Sequence, residues 1–283
     1  KSTFLLDKPG FNHVWIDGLG MDPWGRKMSK SLGNGIDADS VLECGAGGKT
    51  GSWKVKGPDK SVSLRANKIG SECFRLWKAC DAQVGDDFHI NPEEIEKKYY
   101  GILTKVFNVA RFASMFPCPD DLETTPTDLA IEDKWIIAEF QSMMSIVEKS
   151  WHELDIYTAT QALKSFATGV LPSHWLEMVK SRLYDDDEAA AWTIHRIVRD
   201  FLSAFSPICP FFSHHISLTI YSKSAVDVDS FPVNIVDELA VDMEQGDDLR
   251  KLTSSIQEFN SSTWNGKKDA GISLNKPISG III

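Results

Sequence analysis

The spacing of apolar residues along this 283-residue chain changes near residue 91. Before that point, residues 11–22 form an almost continuous apolar run, which predicts a buried strand. Residues 36–43 predict a short helix with Asp37 as its N-cap. Apolar and polar positions then alternate on either side of a Gly-Pro-Asp turn at 57–59, which predicts a β-hairpin or a flexible insertion covering 44–68. The first part of the chain therefore has the pattern of a small α/β unit.

After residue 91 the apolar positions follow helical spacing almost throughout. Asn91 and Pro92 predict the start of a helix that reaches about Phe116. We expect its apolar stripe to consist of Tyr99, Leu103, Val106, Phe107, Ala110 and Ala113. Further helices are predicted over about 131–153, over 211–221 and over about 235–260. Others are predicted from a capping box at Thr158 to a kink or break at Pro172, from Trp175 onward, and after the acidic run 185–188. A strand is predicted at 278–283. The predicted fold is mainly α: a helix bundle preceded by a small α/β piece.

Composition limits the class of protein. Hydrophobic residues make up 42% of the chain and charged residues 25%, as in ordinary soluble globular proteins. No apolar run approaches the roughly 20 residues of a membrane span, so we expect no membrane association. The five cysteines are scattered without a C-x-x-C pair, which predicts reduced thiols in the cytoplasm and no metal site. Because the chain lacks an initiator Met, we expect it to be part of a longer protein.

Charge is distributed unevenly along the chain. The net charge is −10, which argues against nonspecific nucleic-acid binding over the whole surface. Residues 49–78 nevertheless contain eight basic and only two acidic residues, whereas 227–248 contain eight acidic residues and no Lys or Arg. A basic patch on an acidic protein can direct a polyanion to one place.

The candidate chemistry lies in the basic loop Lys27-Met28-Ser29-Lys30-Ser31, which follows the predicted strand. The preceding residues 22–25 predict a tight turn, because proline presets φ and glycine tolerates a positive φ. Two lysines around small hydroxyl residues can bring two ammonium groups to one anion, and phosphate or pyrophosphate is the natural ligand. For a bare pair of lysines, a solvated basic turn is the alternative.

A second glycine-rich stretch, residues 45–51, contains Gly48-Lys49-Thr50 but does not fit a P-loop. The P-loop spacing requires a glycine at position 43, where this chain has Glu43, and no clear strand precedes it. The stretch is therefore assigned to the hairpin or insertion.

Residues 27–34, Lys-Met-Ser-Lys-Ser-Leu-Gly-Asn, match a signature of class I aminoacyl-tRNA synthetases at every position. Further segments resemble the same family over nearly the whole chain, and 174–184 is most similar to archaeal-type valyl-tRNA synthetases. The segments are 70–77, 104–112, 134–136, 174–184, 206–211 and 268–277. Three features depart from the family pattern: the chain has no His-x-Gly-His, Asp17 precedes Gly18 where relatives often carry His-Gly, and Leu171-Pro172 replaces an aromatic–small pair.

This resemblance implies an architecture and an activity. Residues 1–90 would be the end of a Rossmann-type catalytic domain with a stem-contact region, 91–232 an anticodon-binding helix bundle, and 233–283 a helix-plus-strand subdomain. The full enzyme would activate valine with ATP and Mg²⁺, release pyrophosphate, and attach valine to tRNA(Val).

The resemblance also implies roles for the loop residues. Lys30 first, and Lys27 second, would stabilise charge on the leaving phosphates. Met28, Ser29 and Ser31 would join them in binding ATP, and Gly33 would let the loop close. Because the rest of the catalytic site is outside this chain, we expect the isolated chain to be inactive.

Lys105, Asn108 and Arg111 are the candidate tRNA contacts, because i, i+3, i+6 spacing places them on one helix face. A structural role in salt bridges and capping is the alternative. The basic segment 49–78 is either a contact for the acceptor side of the tRNA or a solvated insertion. At the level of the whole protein, the alternatives are an isoleucyl-tRNA synthetase or a stand-alone RNA-binding module. We expect a monomer.

Overall fold

The computed structural model describes residues 2–11, 13–44, 53–59, 63–223, 243–273 and 276. A small α/β unit comes first in the chain, and helices make up the rest. The predicted fold class, a mainly α chain with a helix bundle after an α/β piece, is confirmed. The glycine-rich stretch 45–52, the start of the helix predicted at 235 and the strand predicted at 278–283 lie outside the described residues.

The α/β unit is built around a short parallel pair of strands. Gly20 of β1 pairs with Phe88 of β4, and Met21 pairs with His89. An antiparallel hairpin, β2–β3, forms a second two-stranded sheet. The elements of the unit are α1 (Ser2–Leu6), β1 (Gly20–Met21), α2 (Ala38–Glu43), β2 (Trp53–Lys56), β3 (Ser63–Ala66), α3 (Gly70–Asp81) and β4 (Phe88–His89).

The predicted buried strand over 11–22 is wrong in both length and burial. Only residues 20 and 21 pair as a strand, and a separate bridge joins Asp17 to Val84. The large apolar side chains ahead of β1 are exposed because no element in the described part of the chain covers them. They are Phe11, Val14, Trp15, Ile16 and Leu19.

Asp17 and Gly18, where the chain departs from the family pattern, fix the start of β1. Lys78 of α3 forms an ion pair with Asp17 at 3.2 Å. A Cβ on Gly18 would lie 2.0 Å from the carbonyl oxygen of Asp86, so only glycine permits this close approach of two backbones.

The predicted hairpin is confirmed and is firmly packed. Along β2, Trp53 and Val55 are buried and the residues between them are exposed, as the alternation predicted. Trp53 packs edge-on against Phe74 of α3, with ring centroids 6.0 Å apart. On β3, the backbone N–H of Arg65 donates to the Glu93 carboxylate at 3.2 Å. The hairpin is therefore attached to the helices on both sides, which excludes a flexible insertion over 53–59 and 63–66.

The helix predicted from Asn91 is also confirmed. The Asn91 side chain accepts hydrogen bonds from the N–H groups of Glu93 and Glu94, and Pro92 occupies the first turn. The helix runs through α4 (Pro92–Ile95), one π turn (Glu96–Tyr100) and α5 (Gly101–Ala113). Its stripe is buried as predicted except at Phe107, which is 43% exposed.

The remaining helices pack around a continuous apolar core that also reaches the α/β unit. Two details differ from the sequence prediction. The helix predicted to open with a capping box at Thr158 begins at Ile156, because the carboxylate of Asp155 accepts the Thr158 N–H at 3.0 Å. Pro172 neither breaks nor ends a helix, since a π-helical segment accommodates it. The described elements are α6 (Ile131–His152), α7 (Ile156–Ser165), the π segment (Phe166–Trp175), α8 (Leu176–Tyr184), α9 (Glu188–Phe205), α10 (Pro210–Tyr221), α11 (Met243–Lys251) and α12 (Thr253–Asp269).

The acidic run before α9 has a structural role. Asp187 is the N-cap of α9, accepting the Ala190 N–H at 2.9 Å. It also pairs with Arg182 at 2.9 Å, and Arg182 reaches Asp133 at the start of α6 at 2.7 Å. These ion pairs connect α6, α8 and α9. No helix in the described part of the chain is long and apolar enough to cross a membrane.

Candidate functional site

The lysine loop, residues 22–34, begins with a tight turn directly after β1. The carboxylate of Asp22 accepts the backbone N–H groups of Trp24 at 3.1 Å and Arg26 at 2.9 Å. The Gly25 N–H donates to the Asp22 carbonyl at 2.9 Å, and Gly25 has φ +75°. The turn predicted from residues 22–25 is confirmed, with glycine at a position that requires a positive φ.

Asn34 joins the two ends of the loop through its side chain, which is completely buried. Its amide nitrogen donates to the Asp22 carboxylate at 2.9 Å and to the Lys27 carbonyl at 3.3 Å. Its amide oxygen accepts the Ser29 N–H at 2.9 Å. The loop therefore closes on a buried amide, which fixes the backbone between Lys27 and Asn34.

Asp22 is the second fixed point of the loop and carries a buried negative charge. Arg26 forms an ion pair with it at 2.7 Å. Burial alone raises the pKa of Asp22, but the hydrogen bonds from Asn34 and Arg26 and the Arg26 charge outweigh it, so this pKa lies below its ordinary value. Asp22 is therefore ionised at neutral pH and neutralises Arg26.

Gly33 and the serine hydroxyls shape the turn between the two lysines. Gly33 has φ +65°, and its N–H donates to the Lys30 carbonyl at 3.2 Å. The hydroxyl of Ser29 accepts the Leu32 N–H at 3.2 Å and lies 3.1 Å from the Ser31 hydroxyl. Met28 turns the other way and packs against the core. Lys30 therefore starts a closed turn whose hydroxyl groups lie on its exposed side.

Lys27 and Lys30 are both exposed. In the part of the chain that the structure describes, neither ammonium group has an ion-pair or hydrogen-bond partner. Two exposed cations on a loop with a fixed backbone have the chemistry to bind an anion with several negative oxygens.

Sequence reasoning found the lysines but missed the residues that hold them. Asp22 was assigned to a turn only, and Arg26 and Asn34 received no role. The available signal was chemical: an acidic, a basic and an amide residue at the two ends of one short loop. The contact between Asp22 and Asn34 spans 12 positions, a separation at which neither helical nor strand periodicity predicts a pair.

The second candidate site lies on α5. Lys105 and Asn108 line one side of a groove of about 260 Å³, with Pro172 and Lys180 opposite and Phe112 in its wall. Lys180 is paired with a glutamate of its own helix. The groove combines donors with an aromatic surface, the chemistry by which unpaired bases are bound.

Arg111 completes the predicted face of α5 beside this groove. Lys105, Asn108 and Arg111 are all exposed. Within the described residues none of the three side chains has a salt bridge or caps a helix, so the described contacts give no support to the structural alternative.

Two basic residues of the segment 49–78 make contacts within the described part of the chain that hold its elements together. Arg75 donates to the carbonyls of Ile208 at 2.8 Å and Pro207 at 2.9 Å, and Lys78 is paired with Asp17. Arg75 therefore connects the α/β unit to the helices, and Lys78 stabilises the α/β unit itself. Among the described residues of the segment, the exposed basic side chains are Lys54, Lys56, Arg65, Lys68 and Arg75.

Comparison with known families agrees with this combination of a lysine loop and a helix bundle. Residues 1–91 match the family of tRNA synthetases class I (I, L, M and V). Residues 133–282, more than half of the chain, match the anticodon-binding domain of tRNA ligase. The chain therefore belongs to the family of tRNA ligases that carry this anticodon-binding domain.

Among individual proteins, the chain is similar to archaeal valine–tRNA ligases, as the resemblance predicted. It is 32% identical to the enzyme of Aeropyrum pernix over 98% of its length, and 29% identical to that of Saccharolobus solfataricus over 99%. It is 27% identical to that of Pyrobaculum aerophilum over 100%. The chain spans about a third of the length of these relatives: 31%, 29% and 32%, in the order named.

The fold is also found in a solved structure. A crystal structure of the ternary complex of Agrobacterium radiobacter K84 agnB2 LeuRS, tRNA and LeuAMS superposes with a TM-score of 0.52. The match covers 74% of this chain and 22% of that one, at 16% identity, and it supports the fold alone.

Proposed function

We propose that the protein containing this chain is a valine–tRNA ligase. It joins valine to ATP, releases pyrophosphate, and transfers valine to tRNA(Val). The observation that carries the proposal is similarity to valine–tRNA ligases over 98% to 100% of the chain. Since the chain spans about a third of those relatives, the amino-acid and editing pockets belong to sequence outside it.

Lys30 and Lys27 are the proposed catalytic residues of this chain. Negative charge builds up on the leaving pyrophosphate, and ammonium groups already in position stabilise it without reorganisation. The proposal is supported by two exposed lysines, free of partners in the described residues, on a loop whose backbone Asp22 and Asn34 hold. Ser29 and Ser31 add hydroxyl groups on the same turn.

Mg²⁺ enters this proposal as part of the ATP substrate. Within the described residues no group of three or more His, Cys, Asp or Glu side chains is arranged to hold a metal ion. The ion is then carried by the phosphate oxygens, as is usual for Mg²⁺ with nucleotides. Met28, whose side chain packs against the core, contributes to the ATP site only through its backbone.

The exposed face of α5 is the proposed tRNA contact. Lys105 and Arg111 supply positive charge, and Asn108 supplies hydrogen-bonding groups beside a groove with an aromatic wall. We assign residues 91–232 to tRNA binding, 1–90 to the end of the catalytic domain, and 233–283 to a C-terminal subdomain. The proposal includes a monomer acting in the cytoplasm.

Pyrophosphate exchange tests the proposed activity. The full-length protein is supplied with ATP, Mg²⁺ and either valine or isoleucine, and charging of purified tRNA(Val) and tRNA(Ile) is then measured. We expect exchange that depends on valine and charging of tRNA(Val), with no adenylate formed by residues 1–283 alone. Preference for isoleucine, or RNA binding without any amino-acid activation, would contradict the proposal.

A further inference from the structure

The hairpin β2–β3 is attached directly to the lysine loop. The backbone N–H of Lys56, the last residue of β2, donates to the Gly33 carbonyl at 3.4 Å. Its carbonyl accepts the Arg26 guanidinium at 2.6 Å. Both partners belong to the lysine loop, and Arg26 is itself held by Asp22. The position of Lys56 relative to the loop is therefore fixed by its backbone.

The side chain of Lys56 lies over the turn that Lys30 begins. Its ammonium nitrogen is 3.6 Å, and its Cδ 3.1 Å, from the point that a Cβ on Gly33 would occupy. Gly33 closes the turn with its hydrogen bond to the Lys30 carbonyl. The Lys56 ammonium is thus next to the closed turn that begins at Lys30, on the side left open by the missing side chain of Gly33.

Lys56 is exposed, and it has no ion-pair partner among the residues that the structure describes. Lys27 and Lys30 of the closed loop and Lys56 packed against it are therefore three exposed lysines without a described ion-pair partner, while the nearby Arg26 is neutralised by Asp22. Like charges held together repel one another, so the arrangement favours a bound anion with several negative oxygens.

Lys54 provides an internal comparison on the same strand face. It lies two residues before Lys56, about 7 Å farther from the loop at the usual rise of a strand. It faces Arg65 across the hairpin, whereas Lys56 faces Ser63. No described contact connects Lys54 to the lysine loop.

We propose that Lys56 is a third phosphate-binding cation of the lysine-loop site, held in place by Arg26 and Gly33. The ligand is the polyphosphate of a nucleotide or the pyrophosphate released from it. This inference rests on the proposed function for its substrate, but its chemistry concerns only polyphosphate binding.

Binding of inorganic pyrophosphate with Mg²⁺ to the full-length protein, measured by calorimetry, tests the proposal. We expect Lys56→Gln to weaken binding about tenfold or more, the usual effect of losing one charge-assisted hydrogen bond. Lys54→Gln should change the dissociation constant less than about twofold, since a solvated charge at that distance is screened. Lys56→Arg, which keeps the charge, should recover most of the affinity.

Three results would overturn the proposal. The first is no pyrophosphate binding by the unmodified protein, and the second is equal binding by the Lys56→Gln and Lys54→Gln variants. The third is normal pyrophosphate binding by Lys56→Gln with slower tRNA charging, which would assign the hairpin to nucleic acid. If the expected pyrophosphate result holds but valine does not stimulate exchange, the third cation stands and the valine ligase assignment fails.

Discussion

Replacing Asn34 by Ala removes the side chain that closes the lysine loop. Asn34 makes two hydrogen bonds to backbone groups and one to the buried Asp22 carboxylate. At about 1 kcal/mol for each of the first two and about 2 kcal/mol for the third, the bonds are worth about 4 kcal/mol. Water that enters the vacated site replaces part of these hydrogen bonds, so we expect a loss of roughly 2 to 4 kcal/mol in local stability.

Amide hydrogen exchange measures this loss where it occurs. The Met28 N–H donates to the Gly20 carbonyl and the Gly33 N–H donates to the Lys30 carbonyl. Neither bond involves Asn34, so exchange of these two amides measures the stability of the loop and not the loss of the Asn34 bonds themselves. Their protection should fall by roughly 30- to 1000-fold, the factor that corresponds to this free energy. Amides in α9 should keep their protection, because α9 packs in the apolar core, which does not include the turn between Lys30 and Gly33.

Gly35→Ala is the matched control, since nothing lies within 4 Å of a Cβ placed on Gly35. We expect this variant to exchange like the unmodified protein. Unchanged protection at Met28 and Gly33 in Asn34→Ala would refute the conclusion that the buried amide fixes the loop.

Three further predictions concern the bundle. Arg196→Met should lower the unfolding free energy by about 2 to 3 kcal/mol in urea titration, because it removes one of the two guanidinium partners of the buried Asp200 carboxylate, at 2.5 Å, and leaves Arg199 at 2.9 Å. A loss under about 1 kcal/mol would contradict this. Burial lowers the pKa of His195 below its ordinary 6.5, despite a hydrogen bond to a carbonyl. The unfolded chain therefore binds more protons between the two pKa values, and stability should fall as pH drops below about 6.5. His195→Gln should flatten that slope in urea titrations at several pH values, whereas the exposed His152→Gln should not. Lys105→Gln should weaken tRNA binding and reduce its salt dependence by about one phosphate contact in a filter-binding assay, whereas Lys149→Gln on α6 should do neither.

The helices were predictable because each apolar stripe and cap is local in sequence. Asn91 caps the helix that follows it, and Asp187 caps α9. The errors came from competition between neighbouring groups. The Asp155 carboxylate accepts the Thr158 N–H, so Asp155 and not Thr158 is the N-cap of that helix. At Pro172, π-helical hydrogen bonding accommodates a residue that would break an ordinary α-helix.

The exposed apolar run before β1 illustrates a different limit. The run predicts burial, but periodicity does not identify the surface that would cover it. Ile16 is 73% exposed, and no described element buries its side chain. The hydrophobic pattern of a strand therefore indicates that a partner surface is needed, and the location of that surface requires a structure.

The candidate site could be predicted only in part for a similar reason. The motif at 27–34 gives the lysines, because charge and spacing can be recognised in a short string. Asp22 and Asn34 act through a contact across 12 positions, and Lys56 comes to the loop through a hairpin 22 residues farther along than Asn34. These contacts depend on tertiary packing, which no local pattern encodes.

The rate of valine-dependent pyrophosphate exchange in a Lys30→Ala variant of the full-length protein tests the central claim most directly. Losing a preorganised cation from the leaving pyrophosphate should slow exchange at least about a hundredfold, or about 3 kcal/mol. The helix bundle should stay folded, and Lys97→Ala, an exposed lysine in the π turn before α5, should exchange at the normal rate. An unimpaired rate in Lys30→Ala would contradict the assignment of the lysine loop to the chemistry of activation.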